Sequence, residues 1–243
     1  MILKMLFRRR VVLLLLVAMP VVFLTVVQLT ASAKMILFRL ASLDEMVFIE
    51  ESQKQISLIF FSVTSTGFLV SFLALNLIQI NSNVNRRLVI CGYHPFELLI
   101  SNLICLILVI LFIAIYIGLL INAFFSVKHL AMYIFGLTLI GFVYGCYGLA
   151  IGSLIKGKLE GVFLIVLLAN IDSGWLQNPM YYAEAQNNII IRYLPAYYPS
   201  QSAIIAAFTD YSAANARFFS VIYGSGFLIL SLLIFYNKMR IKK

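Results

Sequence analysis

The chain has 243 residues, of which 63% are hydrophobic and 11% are charged, and its formal net charge is +9. Soluble domains are roughly 45–50% apolar and about 25% charged, so this composition excludes an ordinary globular protein. Lipid admits only helices or closed barrels as spanning structures. Long continuous apolar segments, without the alternation of barrel strands, predict an all-α membrane protein with a single domain of six transmembrane helices.

Apolar segments set the six predicted spans in chain order. The first follows the basic start MILKMLFRRR, which together with the small residues Ala31-Ser32-Ala33 also resembles a secretory signal peptide. Its apolar run of about 20 residues suits a full crossing better than the shorter core of a signal peptide, so we expect a retained span. The predicted spans are 11–30, 56–80, 103–125, 130–155, 159–178 with an interruption, and 218–236.

The basic residues lie mainly at the ends of these segments. The predicted inner segments hold 12 of the 18 Lys and Arg residues, and the outer segments hold 6. By the positive-inside rule, this distribution places both termini in the cytoplasm. Because the charges follow the membrane topology, we do not expect nucleic acid as a partner. The outer loop at residues 31–55 is polar, and we predict a short interfacial helix around Met35–Leu40.

The connection between the second and third spans contains the sequence RRLVICGYHPFELLISN. Its glycine and proline allow a sharp turn followed by a short helix that has proline in its first turn. Both an ordinary interfacial loop and a helix that docks on a cytosolic motor fit this pattern. The candidate coupling residues are Arg86, Arg87, Gly92, Tyr93, His94, Pro95, Phe96 and Glu97.

Four glycines recur in the fourth span at a spacing that places them on one helix face. Small residues on one face allow helix backbones to approach closely in lipid. Packing within the chain is the favoured interpretation, and a seam between two copies is the alternative. The four residues are Gly141, Gly145, Gly148 and Gly152.

The fifth span breaks after Ile171. The carboxylate of Asp172 would then lie at or above the middle of the membrane, which makes it a candidate functional residue. A helix end capped by Asp172 and Asn178 is the simpler alternative. We predict re-entrant or interfacial helices on the outer face at residues 180–211. The candidate residues of an outer gate or translocation path are Asp172, Trp175, Asn178 and Pro179.

In its order of features, the chain resembles the permease subunits of ABC transporters of the type-2 exporter class. The resemblance rests on six spans with both ends inside, on the connection RRLVICGYHPFELLISN, and on the interrupted fifth span followed by the outer segment from LQNP to LPAYYPSQ. It implies two paired permease units, identical or related, each bound through residues 85–97 to a cytosolic ATP-binding-cassette ATPase. The cargo class stays open among peptides, lipids and amphipathic drugs. We expect a multi-pass protein of the plasma membrane, in a bacterium.

Signatures of catalysis are missing from the sequence. Its two histidines, His94 and His129, stand near no partner at ligand or triad spacing, and no GxxxxGK[ST] loop is present. We therefore expect no bound cofactor or metal in this chain, with ATP and Mg²⁺ used by the partner ATPase. An ATP-independent channel or secondary carrier is the first alternative function. A membrane-embedded enzyme or assembly factor is the second.

Overall fold

The computed structural model describes residues 10–40, 47–80, 87–155, 157–184 and 188–239. Five apolar helical segments in this part of the chain are long enough to cross a membrane, which agrees with a multi-pass membrane protein. The elements in chain order are α1 (Arg10–Thr30), β1 (Met35–Arg39), β2 (Phe48–Ser52), α2 (Gln53–Ile80), α3 (Pro95–Phe124), α4 (Leu130–Leu154), α5 (Lys158–Ile171), a π-helical turn (Asp172–Leu176), α6 (Pro179–Glu184), α7 (Asn188–Arg192), α8 (Tyr197–Phe208) and α9 (Ala214–Met239).

The five long segments are α2, α3, α4, α9, and α5 together with the π-helical turn. The first predicted span corresponds to α1, whose apolar stretch Leu16–Thr30 is shorter than the other five. Several boundaries differ from the prediction because the helices extend beyond their apolar cores. The third helix begins at Pro95 rather than near Leu103, so the proline starts a 30-residue helix and not a separate short one.

The interfacial helix predicted around Met35–Leu40 is wrong. Residues Met35–Arg39 form a strand that pairs antiparallel with Phe48–Ser52, with Phe38 opposite Ile49. Met35 and Leu37 are exposed whereas Phe38 is buried, so the side chains alternate with the period of two that a strand requires. The ring of Phe38 lies 6.0 Å from that of Phe208, in an edge-to-face arrangement. The hairpin thus gains backbone hydrogen bonds and one buried aromatic contact.

Helix α4 lies at the centre of the bundle, and its glycine face meets α2 and α3. A Cβ atom on Gly148 would stand 2.3 Å from the carbonyl oxygen of Ser71, and one on Gly141 would stand 2.7 Å from Ile110 Cγ2. A Cβ on Gly145 would approach side chains of both α2 and α3. These glycines therefore pack within the chain, where the lack of a side chain allows close backbone approach.

We predict that Gly148→Ala destabilises the protein by about 1–3 kcal/mol, because the added methyl group collides with backbone that cannot rotate away. Thermal unfolding of the purified protein in detergent measures the change. Gly226→Ala on α9 is the matched control, since a Cβ there has no atom within 4 Å. Equal melting temperatures for the two variants would contradict the close contact between α2 and α4.

Candidate functional site

Asp172 is the one acidic residue that is buried in the described part of the chain. It directly follows α5, about 21 Å along the helix axis from Lys158. Only 7% of the surface of Asp172 is exposed. A buried carboxylate is costly unless hydrogen bonds replace the water that it has lost. Its surroundings provide three such bonds.

Three donors from separate parts of the chain meet at this carboxylate. The hydroxyl of Tyr144 on α4 donates to Oδ2 at 2.6 Å, and the backbone N–H of Ala196 donates to the same oxygen at 3.0 Å. Gln177 Nε2 lies 3.3 Å from Oδ1. Ala196 directly precedes α8. Asp172 therefore joins the central helix to the segment that follows the fifth crossing, and we call this group the Asp172 centre.

The π-helical turn explains how Gln177 reaches the carboxylate. In a π-helix each backbone hydrogen bond joins residues five positions apart, so residue 177 lies next to residue 172. The turn is also anchored to α2, because the hydroxyl of Thr64 donates to the carbonyl oxygen of Ser173 at 2.8 Å. Widened turns of this kind often occur at functional sites.

The other predicted gate residues lie in the π-helical turn or directly after it. Trp175 is exposed, and its ring lies 5.5 Å from that of Tyr181. Asn178 accepts a backbone hydrogen bond from Tyr182 at 2.8 Å, and Pro179 begins α6. The structure thus separates a buried centre at Asp172 from an exposed aromatic surface at Trp175.

Sequence reasoning missed the three partners of Asp172. Gln177 carried a usable signal, since a polar side chain five residues after an intramembrane acid fits a π-helical turn. Tyr144 carried none, because one tyrosine among many in apolar helices is normally a packing residue. The Ala196 contact is made by the backbone, so no residue type could have revealed it.

The second predicted site is the connection at residues 87–97, which we call the α2–α3 corner. A helical turn at residues 87–90 ends with a bond from the Tyr93 N–H to the Leu88 carbonyl oxygen and one from the Gly92 N–H to that of Val89. Gly92 has a φ of +97°, a left-handed conformation that glycine adopts without strain. This pair of bonds is the Schellman motif that terminates helices.

Helix α3 starts immediately after this turn. The side chain of His94 accepts a hydrogen bond from the Phe96 N–H at 3.3 Å, and Pro95 occupies the first helical position. The rings of His94 and Phe96 both approach Tyr236 near the end of α9. Their centroids lie 6.2 Å and 5.9 Å, respectively, from the centroid of the Tyr236 ring. The corner is therefore held against the last helix by an aromatic cluster.

The predicted coupling residues have different surroundings. Arg86 lies outside the described residues. Arg87, Tyr93 and Glu97 are exposed, and Phe96 keeps 42% of its surface accessible despite its contact with Tyr236. Ile90, which the sequence analysis did not select, is 68% exposed. The corner thus presents apolar side chains beside one cation and one carboxylate.

A groove of about 260 Å³ opens on the side of the bundle between α1, α2 and α5. Its wall is mainly apolar, but Thr64, Ser65 and Asn170 add polar groups. Asn170 is exposed two residues before Asp172. Its Nδ2 donates to the Val166 carbonyl oxygen at 2.8 Å, but the amide has a second N–H and a carbonyl oxygen that would be costly to leave against lipid alone. We call this feature the lateral groove.

Comparison with known proteins leaves the family of the chain open. No protein-family model matches the chain, and no curated protein matches it significantly. Its function must therefore be inferred from the Asp172 centre, the α2–α3 corner and the lateral groove.

We predict that Tyr144→Phe destabilises the protein by about 1.5–3 kcal/mol, because a charge-assisted hydrogen bond to a buried carboxylate is lost. Tyr147→Phe is the matched control, since its buried hydroxyl has no hydrogen-bond partner among the described residues. Melting temperatures of the two purified variants measure the difference. The assigned bond would be refuted if Tyr147→Phe were the more damaging change.

Proposed function

We propose that the chain is the membrane-spanning subunit of an ATP-driven exporter, which works with a separate cytosolic ATPase. In this proposal α1 is the first of six crossings, and both termini lie in the cytoplasm. The 21 residues of α1 would span about 31 Å. Pro20 lies inside α1 and disturbs its backbone hydrogen bonds. Close to it, the hydroxyl of Tyr116 on α3 donates to the Val17 carbonyl oxygen at 2.8 Å.

The observation that carries the proposal is the construction of the α2–α3 corner. A docking element must be rigid, exposed and connected to the helices that it moves. The corner has a helix stop, a capped helix start and an aromatic contact with Tyr236, and it leaves Ile90 and Tyr93 exposed. A force applied there would act on α3 and α9 together, which supports a role as the coupling element for the ATPase.

The Asp172 centre supplies the opposite end of the mechanism. Helix α8 contacts the loop before α4, since the Lys128 N–H donates to the carbonyl oxygen of Ala207. The segment from α6 to α8 is therefore packed at the end of α3 far from the corner. We propose that this segment is the outer gate and that the three bonds of Asp172 hold it closed until the helices move.

The lateral groove is the place where we expect a second permease unit, identical or related, to complete the path. Its apolar wall with a few polar groups suits an amphipathic cargo such as a peptide, a lipid or a drug. Asn170 could then hydrogen-bond to the facing unit or to the cargo, which would remove the cost of leaving its amide against lipid. Transport would run outward, across a bacterial plasma membrane.

A secondary carrier is the second candidate function, and Asp172 is the observation that favours it. Intramembrane carboxylates commonly bind the coupling proton or ion in carriers. Transport into proteoliposomes distinguishes the two functions. Dependence on ATP and the partner ATPase supports the exporter, whereas transport driven by a proton gradient alone, and lost in Asp172→Asn, supports the carrier.

We predict that the purified chain does not hydrolyse ATP by itself and does so only in complex with its ATPase. Phe96→Ala should leave hydrolysis largely intact but reduce transport per ATP, because the docking surface loses its central aromatic group. Gly92→Ala should act similarly, since the left-handed turn would be strained by about 1–2 kcal/mol.

Matched controls exist for both changes. Phe112→Ala removes an exposed phenylalanine from the same helix as Phe96, and Gly226→Ala adds a methyl group in open space. The ratio of transport to hydrolysis is measured in proteoliposomes that contain the complex. An unchanged ratio in both corner variants would remove the docking assignment.

A further inference from the structure

A second cavity lies at the end of the bundle opposite the α2–α3 corner. It has a volume of about 220 Å³ and is bounded by the start of α4, the end of α8 and the start of α9. His129, Met132, Asp210 and Arg217 contribute side chains to its wall. None of these residues belongs to the Asp172 centre or to the lateral groove. We call this cavity the outer pocket.

The outer pocket contains one cation, Arg217, that is not paired with an acid among the described residues. Lys128 Nζ lies 2.5 Å from Asp210 Oδ2, and His129 Nε2 lies 2.8 Å from Asp210 Oδ1. These two neighbours hold the pKa of the Asp210 carboxyl below its usual value, so it is ionised at neutral pH. Lys128 balances that charge, and it also lies close enough to Glu51 for the two charges to interact. Arg217 forms no ion pair with any described residue, which leaves its charge without a counter-ion.

The guanidinium of Arg217 is fixed in place but is only partly used as a donor. Its Nε donates to the Ala213 carbonyl oxygen at 3.2 Å, and its Nη1 lies 3.4 Å from the Met132 sulfur. A guanidinium has five N–H donors, and a thioether is a weak acceptor. Most of the donor capacity is therefore available, on a group whose orientation is already set. Such a group suits the bidentate binding of a phosphate.

The walls beside the outer pocket are apolar and continue along the bundle. Met132 and Phe135 on α4 are exposed, as are Phe218 and Ile222 on α9. Met132 lines the pocket, and the other three side chains lie on the same two helices, which are long enough to cross a membrane. A molecule that places a phosphate at Arg217 can therefore lay a hydrocarbon chain along this surface.

We propose that the outer pocket binds the phosphate group of an anionic phospholipid in the leaflet opposite the α2–α3 corner. Arg217 holds the phosphate oxygens, and the acyl chains follow the exposed side chains of α4 and α9. A free phosphate ion could use the same donors, but it would gain nothing from the apolar walls. This site is independent of the transport function.

Native mass spectrometry of the full chain in detergent tests the proposal. Phosphatidylglycerol and phosphatidylcholine are titrated separately, and we expect phosphatidylglycerol to bind at least about tenfold more tightly. Arg217→Gln should weaken phosphatidylglycerol binding about tenfold. Binding of phosphatidylcholine, which carries the same phosphate, should fall as well, from its weaker starting affinity. Arg192→Gln is the matched control, because Arg192 donates to Tyr182 and does not line the pocket.

Asp210→Asn gives a change of opposite sign. Removal of the carboxylate frees Lys128 and should strengthen phosphatidylglycerol binding, by up to about fivefold for an exposed charge pair. A purely structural role of Asp210 would weaken binding instead. If Arg217→Gln does not fold, Asp210→Asn and Arg217→Lys test the phospholipid site instead. Arg217→Lys keeps the charge but loses the bidentate geometry.

Two results would overturn the proposal. One is equal binding of phosphatidylglycerol by Arg217→Gln and Arg192→Gln. The other is displacement of phosphatidylglycerol by inorganic phosphate at the same concentration, which would make the pocket a site for free anions. Folding of each variant is checked by its melting temperature and its elution in size-exclusion chromatography.

Discussion

The close approach of α4 to α2 is the constraint on which the rest of the structure depends. Lipid tails are as apolar as leucine, so burial of apolar surface does not drive helices together as it does in water. Attraction between helices must come from dispersion contacts, which require backbones to be near each other. At Gly148 the backbone of α4 lies directly against that of α2 at Ser71. At Gly136 it lies against the backbone of α8 at Ala203.

The central position of α4 also sets the polar chemistry of the bundle. Tyr144 lies beside Gly145, so the packing that seats the helix also brings the tyrosine hydroxyl to Asp172. The carboxylate then accepts the Ala196 N–H at the start of α8. In this way a single acid adds a polar connection between the central helix and α8, whose own apolar side chains are buried in the same core.

The long helices could be predicted from the sequence because the thickness of the bilayer sets the length of the apolar segments that cross it. It also predicted that the fifth crossing changes at Asp172, where the α-helix gives way to a π-helical turn. It failed at Met35–Leu40, where six residues are too few for periodicity alone to distinguish a strand from a helix. The partner of Phe38 is Phe208, which only the tertiary fold identifies.

The candidate site was predictable only in part, for a similar reason. Gly92 was identifiable because a left-handed turn needs a particular residue type. The cluster of His94 and Phe96 with Tyr236 joins residues that are far apart in the sequence, and no local pattern encodes such a contact. The same holds for Arg217 and Met132, which meet only because α4 and α9 are neighbours.

The pairing of Phe38 with Phe208 has a consequence for biogenesis. The hairpin emerges early in synthesis, but its aromatic partner follows about 170 residues later. At synthesis rates of about 5–20 residues per second, the hairpin stays without its ring contact for roughly ten to thirty seconds. During that interval its apolar strand is open to chaperones and proteases. Docking of the hairpin is thus a late event that must wait for the synthesis of α8.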